Sequence, residues 1–168
     1  MEIILSQKED IDVIFELYEA AIAFQKQVGT NSWKGFERVM IEQEIAEKRH
    51  FVIKDENQIT ATFVLTYNDP IIWKEADKDS ALYIHRIATN PNFRGRSYVQ
   101  KIVNWVIEYA RKTEKDFVRL DTTSGNERLN QYYIKCGFTY KGINHIEWTK
   151  ELPEHYKEGS FALFEIKI

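Results

Sequence analysis

The stretch that decides the fold is YIHRIATNPNFRGRSYVQKIVNWVIEY, Tyr83–Tyr109. Leu82–Thr89 is rich in β-forming residues and reads as a buried strand, closed by Asn90-Pro91-Asn92. That triplet is a turn signal with a mechanism: Pro fixes φ, and Asn bonds its own backbone. A helix follows from about Arg96, since Val99, Ile102, Val103, Val106, Ile107 and Ala110 recur at the spacing of one apolar face. Arg94 and Arg96 stand at its entrance, the positive end of the helix dipole, where each cation is disfavoured by roughly 0.3–1 kcal/mol. Further along the helix the first acid is Glu108. A bound anion resolves the conflict, because free N–H groups, the dipole and two guanidinium groups would all point at it. The alternative is a solvated basic surface with no ligand.

Composition narrows the setting. At 168 residues, 43% hydrophobic and 14% aromatic, the chain fits one domain, 1–168, with a sizeable core. The net charge of −3 makes a nucleic-acid backbone an unexpected partner. Cys136 is the single cysteine, so a disulfide framework is excluded and a reducing, cytoplasmic setting is expected. The opening residues run straight into Lys8-Glu9-Asp10 without a secretory leader, and no apolar run approaches the ~20 residues of a membrane span.

Upstream of the deciding stretch, Glu2–Ser6 reads as a strand, with Ser6 as helix N-cap and Glu9 completing a capping box. Ile11, Ile14, Leu17, Tyr18, Ala21 and Ile22 give a helical face that Gly29 ends, and a second helix is expected from Phe36 to about Lys48. Phe51–Ile53 and Ile59–Tyr67 read as a hairpin. Trp33 lies in a loop, either as a lid over a ligand or as an anchor packing the loop down. Trp73 is a second loop aromatic, in an excursion that continues into the charged run Lys74–Asp79.

Downstream, Phe117–Asp121 reads as a strand, Glu127–Lys135 as a short helix ended by Gly137, and Phe138–Lys141 and Ser160–Ile168 as strands. Ile143–Trp148 continues the strand pattern loosely, and Leu152-Pro153-Glu154 reads as a loop. Two βαβ-type crossovers and one hairpin predict a mixed α/β sheet with helices on both faces.

Ile87-Ala88-Thr89-Asn90-Pro91 followed by Arg94 and Gly95 resembles the acetyl-CoA-binding segment of the GNAT superfamily of N-acetyltransferases. Ser97 and Val99 stand where that family usually has Gly and then Gly or Ala. A second motif, Asn126 through Phe138, is similar to the family's Asn-x-x-Ala-x-x-Leu-Tyr-x-Lys-x-Gly-Phe signature. Asn126, Tyr133, Lys135, Gly137 and Phe138 match it, while Leu129 and Tyr132 depart from it. The resemblance covers Leu82–Phe138 and implies a mixed, mostly antiparallel central sheet flanked by helices on both faces.

It also implies acetyl-CoA as cosubstrate and an amine, small-molecule or protein, as acceptor. Pantetheine would lie along Ile87, Ala88 and Thr89, and pyrophosphate on the amides of Arg94, Gly95, Arg96, Ser97, Tyr98 and Val99. Asn126 and Asn130 would contact the cofactor, although Asn126 also reads as a helix N-cap. An N–H near Ala88 would stabilise the oxyanion, and Tyr133 would protonate the leaving thiolate. His85 is the candidate base, expected to titrate near neutrality and, by alternation, to share a strand face with Tyr83 and Ile87. Its other reading is a satisfied core or surface histidine.

Trp33, Trp73 and Tyr83 would line an aromatic acceptor site able to take a cation. There is no phosphate-loop or His-Glu-x-x-His motif, and His50, His145 and His155 are scattered, so no metal is expected. The departures at 97 and 99 keep a second class open, a non-catalytic CoA-binding or regulatory domain. Transfer from a longer acyl-CoA is a third. An edge strand at 160–168 could pair between protomers in a homodimer.

Overall fold

Ile11, Ile14, Leu17 and Tyr18 fall on one face of a helix and are all buried, which fixes how the first helix, α1 (Ile11–Gln27), meets its core. The computed structural model describes residues 1–147 and 159–168. Trp148 and the Leu152–Glu154 loop lie outside the described residues. The chain falls into two compact units, Met1–Leu65 with His85–Ile102, and Thr66–Ile84 with Val103–Ile168.

The first unit contains β1 (Glu2–Leu5), α1, α2 (Arg38–Ala46), β2 (His50–Asp55) and β3 (Gln58–Thr66). It also holds the second half of β4 (Ala81–Thr89) and the start of α4 (Tyr98–Lys112). β1 and β3 both run antiparallel to β2. Glu56 and Asn57 join β2 to β3 with φ of +52° and +62°, the paired left-handed geometry of a tight hairpin. The unit's core gathers Ile11, Ile14, Leu17, Tyr18, Ile41, Val52 and Ala88, with Trp33, Phe36 and Met40 packed against it.

Ser6 does not cap α1. It is buried, and its Oγ lies 2.7 Å from His50 Nδ1, while the Tyr18 hydroxyl lies 3.1 Å from Nε2. The capping box belongs instead to the short 3-10 turn Lys8–Asp10 that leads into α1, with Gln7 as its N-cap and Asp10 accepting from the Gln7 N–H at 2.8 Å. A polar residue at a strand end serves equally well as a cap or as a buried partner, and the histidine 44 positions away decides it.

The second unit contains α3 (Pro70–Trp73), the first half of β4, β5 (Phe117–Thr123), α5 (Glu127–Lys135), β6 (Thr139–His145) and β7 (Ser160–Lys167). Asp69 caps α3 by accepting from Ile72 N at 3.4 Å, so Trp73 sits on a helical turn rather than in a loop. β4 pairs β5 in parallel over Ala81–Ile84, and β7 runs antiparallel to both β5 and β6. β7 is therefore an interior strand. Both of its hydrogen-bonding edges are taken, and it cannot serve as the edge expected to pair between protomers.

Among the described residues the strands number seven, in the order β1-β2-β3-β4-β5-β7-β6, mostly antiparallel. No helix of the described residues is long and apolar enough to cross a membrane.

Candidate functional site

The entrance to α4 is built from backbone first. Asn90 caps a short turn by accepting from the Asn92 N–H at 3.0 Å, and its own N–H bonds Thr60 O at 2.8 Å, tying the turn to β3. Gly95 and Ser97 then take φ of +82° and +55°, while Arg96 and Tyr98 keep negative φ. Such alternation swings successive N–H groups toward one side and makes a concavity for an anion. Arg94, Gly95, Arg96 and Ser97 are exposed, whereas Tyr98 is buried and Val99 half-buried. Ser97 is not the conformationally easy helix start that its residue type implies; it occupies a left-handed position suited to glycine.

The two arginines differ. Arg94 lays its guanidinium over the Phe24 ring at 4.4 Å. Arg96 stacks on Phe93 at 4.8 Å and pairs with Glu56 at 3.2 Å and Asp55 at 3.7 Å. The Tyr98 hydroxyl donates to Asp55 at 2.9 Å. The acids missing from the first turns of α4 are thus supplied by the β2–β3 hairpin, and Arg96 has its compensating charge without a ligand.

In β4, Ile87 and Thr89 are half-buried and Ala88 is buried in the first unit's core. Arg86, between His85 and Ile87, takes φ of +49°. A left-handed residue at 86 breaks period-two alternation beyond His85, so Ile87 does not simply continue the face that carries His85. Burial first, then the Arg86 and Arg49 charges, lower the His85 pKa to about 3. The imidazole stays neutral through the physiological range instead of titrating near neutrality.

Tyr83 and Trp73 lie in the interior of the second unit, 0% and 3% exposed, with ring centroids 5.8 Å apart. The Tyr83 hydroxyl accepts from Arg119, and the Trp73 ring lies 4.6 Å from the same guanidinium. Their aromatic surface is spent on a buried arginine, which corrects the expectation of an acceptor-lining pair. Trp33 belongs to the first unit, where it packs edge-on to Tyr18 and Phe36. That contact is the anchoring reading of its loop.

On α5, Tyr133 is half-buried and its ring meets Phe138 at 6.2 Å and Phe164 at 5.4 Å, while Tyr132 is exposed. Burial, and then the Asp121 carboxylate, push the Tyr133 phenol up, so it is a proton donor at neutral pH. Asn126 is the helix N-cap, its Oδ1 accepting from Leu129 N at 3.0 Å. Asn130 Oδ1 is buried with no partner among the described residues, an acceptor that a ligand N–H would satisfy.

Asp121 was not singled out from sequence. Its carboxylate lies within 4.8 Å of that of Asp69, and burial followed by the Asp69 charge raises its pKa to about 8. Asp69 is itself raised to about 6, by burial first. The available signal was an acid inside the strand FVRLDTT, where polar side chains need a reason to be present.

A model of the acetyltransferase (GNAT) family matches residues 15–138. The uncharacterized N-acetyltransferase YesJ of Bacillus subtilis (strain 168) is 25% identical over 144 residues, covering 81% of this chain and 80% of the relative. A GNAT-family acetyltransferase of Listeria monocytogenes 4b F2365 superposes with a TM-score of 0.79 at 23% identity, over 99% of this chain and 94% of that one. A Bacillus subtilis acetyltransferase solved in complex with CoA gives a TM-score of 0.66 at 14% identity, over 99% and 98% of the two chains.

Proposed function

The chain belongs to the acetyltransferase (GNAT) family, and from that premise we propose that it moves an acetyl group from acetyl-CoA to a primary amine by direct attack on the thioester. The observation that carries this reading is the entrance to α4. Left-handed Gly95 and Ser97 and the exposed residues Arg94 and Arg96 lie in the segment of the matched family that would take pyrophosphate. The CoA complex of the Bacillus subtilis neighbour supports the same cosubstrate.

Each residue then has one task. Arg94, Gly95, Arg96, Ser97, Tyr98 and Val99 hold pyrophosphate, and the backbone of Ile87, Ala88 and Thr89 runs beside pantetheine. Asn130 offers its unpartnered Oδ1 to an amide N–H of the cofactor arm. The Ala88 N–H faces the carbonyl oxygen as negative charge develops there. The amine nitrogen bonds to the carbonyl carbon, the carbon–sulfur bond breaks, and Tyr133 gives its phenolic proton to the thiolate. The ammonium proton leaves through water to bulk solvent before attack; His85, held neutral with a pKa of about 3, can accept a hydrogen bond from that water but does not keep the proton. Ser97 takes the left-handed backbone that glycine favours, so the departure at 97 is compatible with an anion-binding loop.

Calorimetric titration with acetyl-CoA tests the donor. Micromolar binding is expected, weakened about tenfold, near 1.4 kcal/mol, by Arg94→Ala. Arg96→Ala should cost less, because its charge is already shared with Glu56 and Asp55. Tyr133→Phe should bind acetyl-CoA normally and lower CoA release with amines by about a hundredfold. Absence of binding at millimolar acetyl-CoA would end the proposal.

A further inference from the structure

The left-handed residue in β4 is held from its side chain. The Arg86 guanidinium donates through Nη2 to Glu44 Oε1 of α2 and through Nη1 to Met40 Sδ, 3.2 Å away, one turn earlier on the same helix. Its carbon lies 5.2 Å from the centroid of the Phe36 ring. Glu44 is 3% exposed, and Arg49 Nη1 donates to the same Oε1 at 3.4 Å. Two buried atoms in this group have no partner among the described residues, Glu44 Oε2 and Arg86 Nε. They are the atoms that a bidentate arginine–carboxylate fork would join. The guanidinium is therefore held short of its preferred geometry, while the backbone carrying it occupies a conformation that non-glycine residues avoid.

Two residues on, Ala88 is 2% exposed and packs in the same core as Ile41 of α2. Both ends of the turned segment are thus fastened to the first unit. We propose that Glu44, Met40 and Phe36 clamp the Arg86 side chain so as to fix the left-handed turn in β4, and through it the direction of the Ala88 N–H toward the thioester oxygen. Arg86 and Glu44 are positioning residues. They touch neither the reacting atoms nor the pyrophosphate segment, and act on the carbonyl only through the backbone. This inference rests on the acetyl-CoA reading of the same strand.

The test reads the carbonyl directly. Acetyl-CoA labelled with carbon-13 at its carbonyl is bound to the purified full-length protein, and the carbonyl stretch is recorded by isotope-edited infrared difference spectroscopy. The wild type is expected to shift the band to lower wavenumber relative to free acetyl-CoA, the sign of a hydrogen bond to the oxygen. Arg86→Gly, which tolerates positive φ but has no side chain to clamp, and Glu44→Gln, which keeps volume but not charge, should both lose that shift. Arg86→Lys, which keeps a cation for Glu44, should recover part of it. The calorimetric Kd for acetyl-CoA should change by less than about threefold in all three.

Retention of the full shift in Arg86→Gly and Glu44→Gln would overturn the clamp, as would a loss of shift matched by an equal loss of affinity. If Arg86→Gly fails to fold, Glu44→Gln decides alone. Failure of the wild type to bind acetyl-CoA would refute the donor assignment itself, whereas binding with an unshifted carbonyl would refute only the role of the Ala88 N–H and the clamp with it.

Discussion

Arg119, buried, and Arg86, half-buried, belong to different units, and their surroundings differ. Arg119 is 1% exposed and fully served. It donates to Glu165 at 2.8 Å, to Ala76 O at 2.6 Å, to the Tyr83 hydroxyl at 3.1 Å and to Asp79 at 2.5 Å. Tyr83 and Glu165 are its direct cross-strand neighbours on β4 and β7, so regular register delivers those two partners. Rings of Trp73 and Phe117 lie over it at 4.6 and 4.7 Å. Arg86 has a left-handed backbone inside a strand, and among the described residues its Nε and the Oε2 of its carboxylate partner Glu44 have no hydrogen-bond partner. Strain and incomplete pairing persist where the surrounding structure over-determines them, which is the contrast that the proposed clamp on Arg86 addresses.

The comparison breaks most visibly at Arg119. Replacing it with leucine leaves Glu165 short of its main cation and uncovers the Tyr83 hydroxyl, so a loss of about 3 kcal/mol in urea unfolding is expected. The folded fraction should bind acetyl-CoA with unchanged affinity. Altered affinity at unchanged stability would make Arg119 part of the site and erase the distinction.

Two positions further along β5, Asp121 sharpens the contrast, because its charged neighbour is another acid rather than a cation. Its folded pKa of about 8 lies above the ordinary carboxylate value. The native state therefore binds more protons than the unfolded chain between about pH 4 and pH 8, and the Asp121 contribution to stability falls as pH rises through that window. Asp121→Asn should flatten that slope and add on the order of 2 kcal/mol at pH 8, with little change near pH 4. Thermal melts at pH 4, 6 and 8 would check it. A parallel pair of curves for wild type and variant would show that the carboxyl ionises freely.

The difference between the two arginines also explains what could be read from the sequence. The β4–turn–α4 unit was legible because its signals are local: apolar periodicity in the helix, Asn-Pro-Asn in the turn, and β-rich residues before it. Ile102, Val103, Val106 and Ala110 are buried as that periodicity requires. Arg86 was not legible, since its carboxylate partner Glu44 stands on a helix 42 positions earlier. The acids that offset Arg96 come from a hairpin 40 residues upstream, beyond any window of charge pattern. β7 reads as a strand at the end of the described chain, yet its interior place follows from long-range pairing with β5 and β6. Tyr83 and Trp73 were mistaken for site aromatics because nothing local announces that Arg119 will occupy their faces.

The smallest effect is expected at Ser97, where strain has no clamp to explain it. Its φ of +55° lies in the loop that precedes α4, and Ser97 is exposed, with its C=O accepting from Lys101 N at 3.1 Å. A side chain in that region costs roughly 1 kcal/mol relative to glycine. Part of the gain from removing it is offset by the greater freedom of glycine in the unfolded chain. Ser97→Gly should therefore raise stability by about 0.5 kcal/mol and leave the acetyl-CoA Kd the same or slightly lower, as read by urea unfolding and calorimetry. If the variant instead binds acetyl-CoA several-fold more weakly, the serine hydroxyl is itself a phosphate ligand. Ser97 would then join Arg86 as a residue whose unfavourable backbone is retained for what its side chain does.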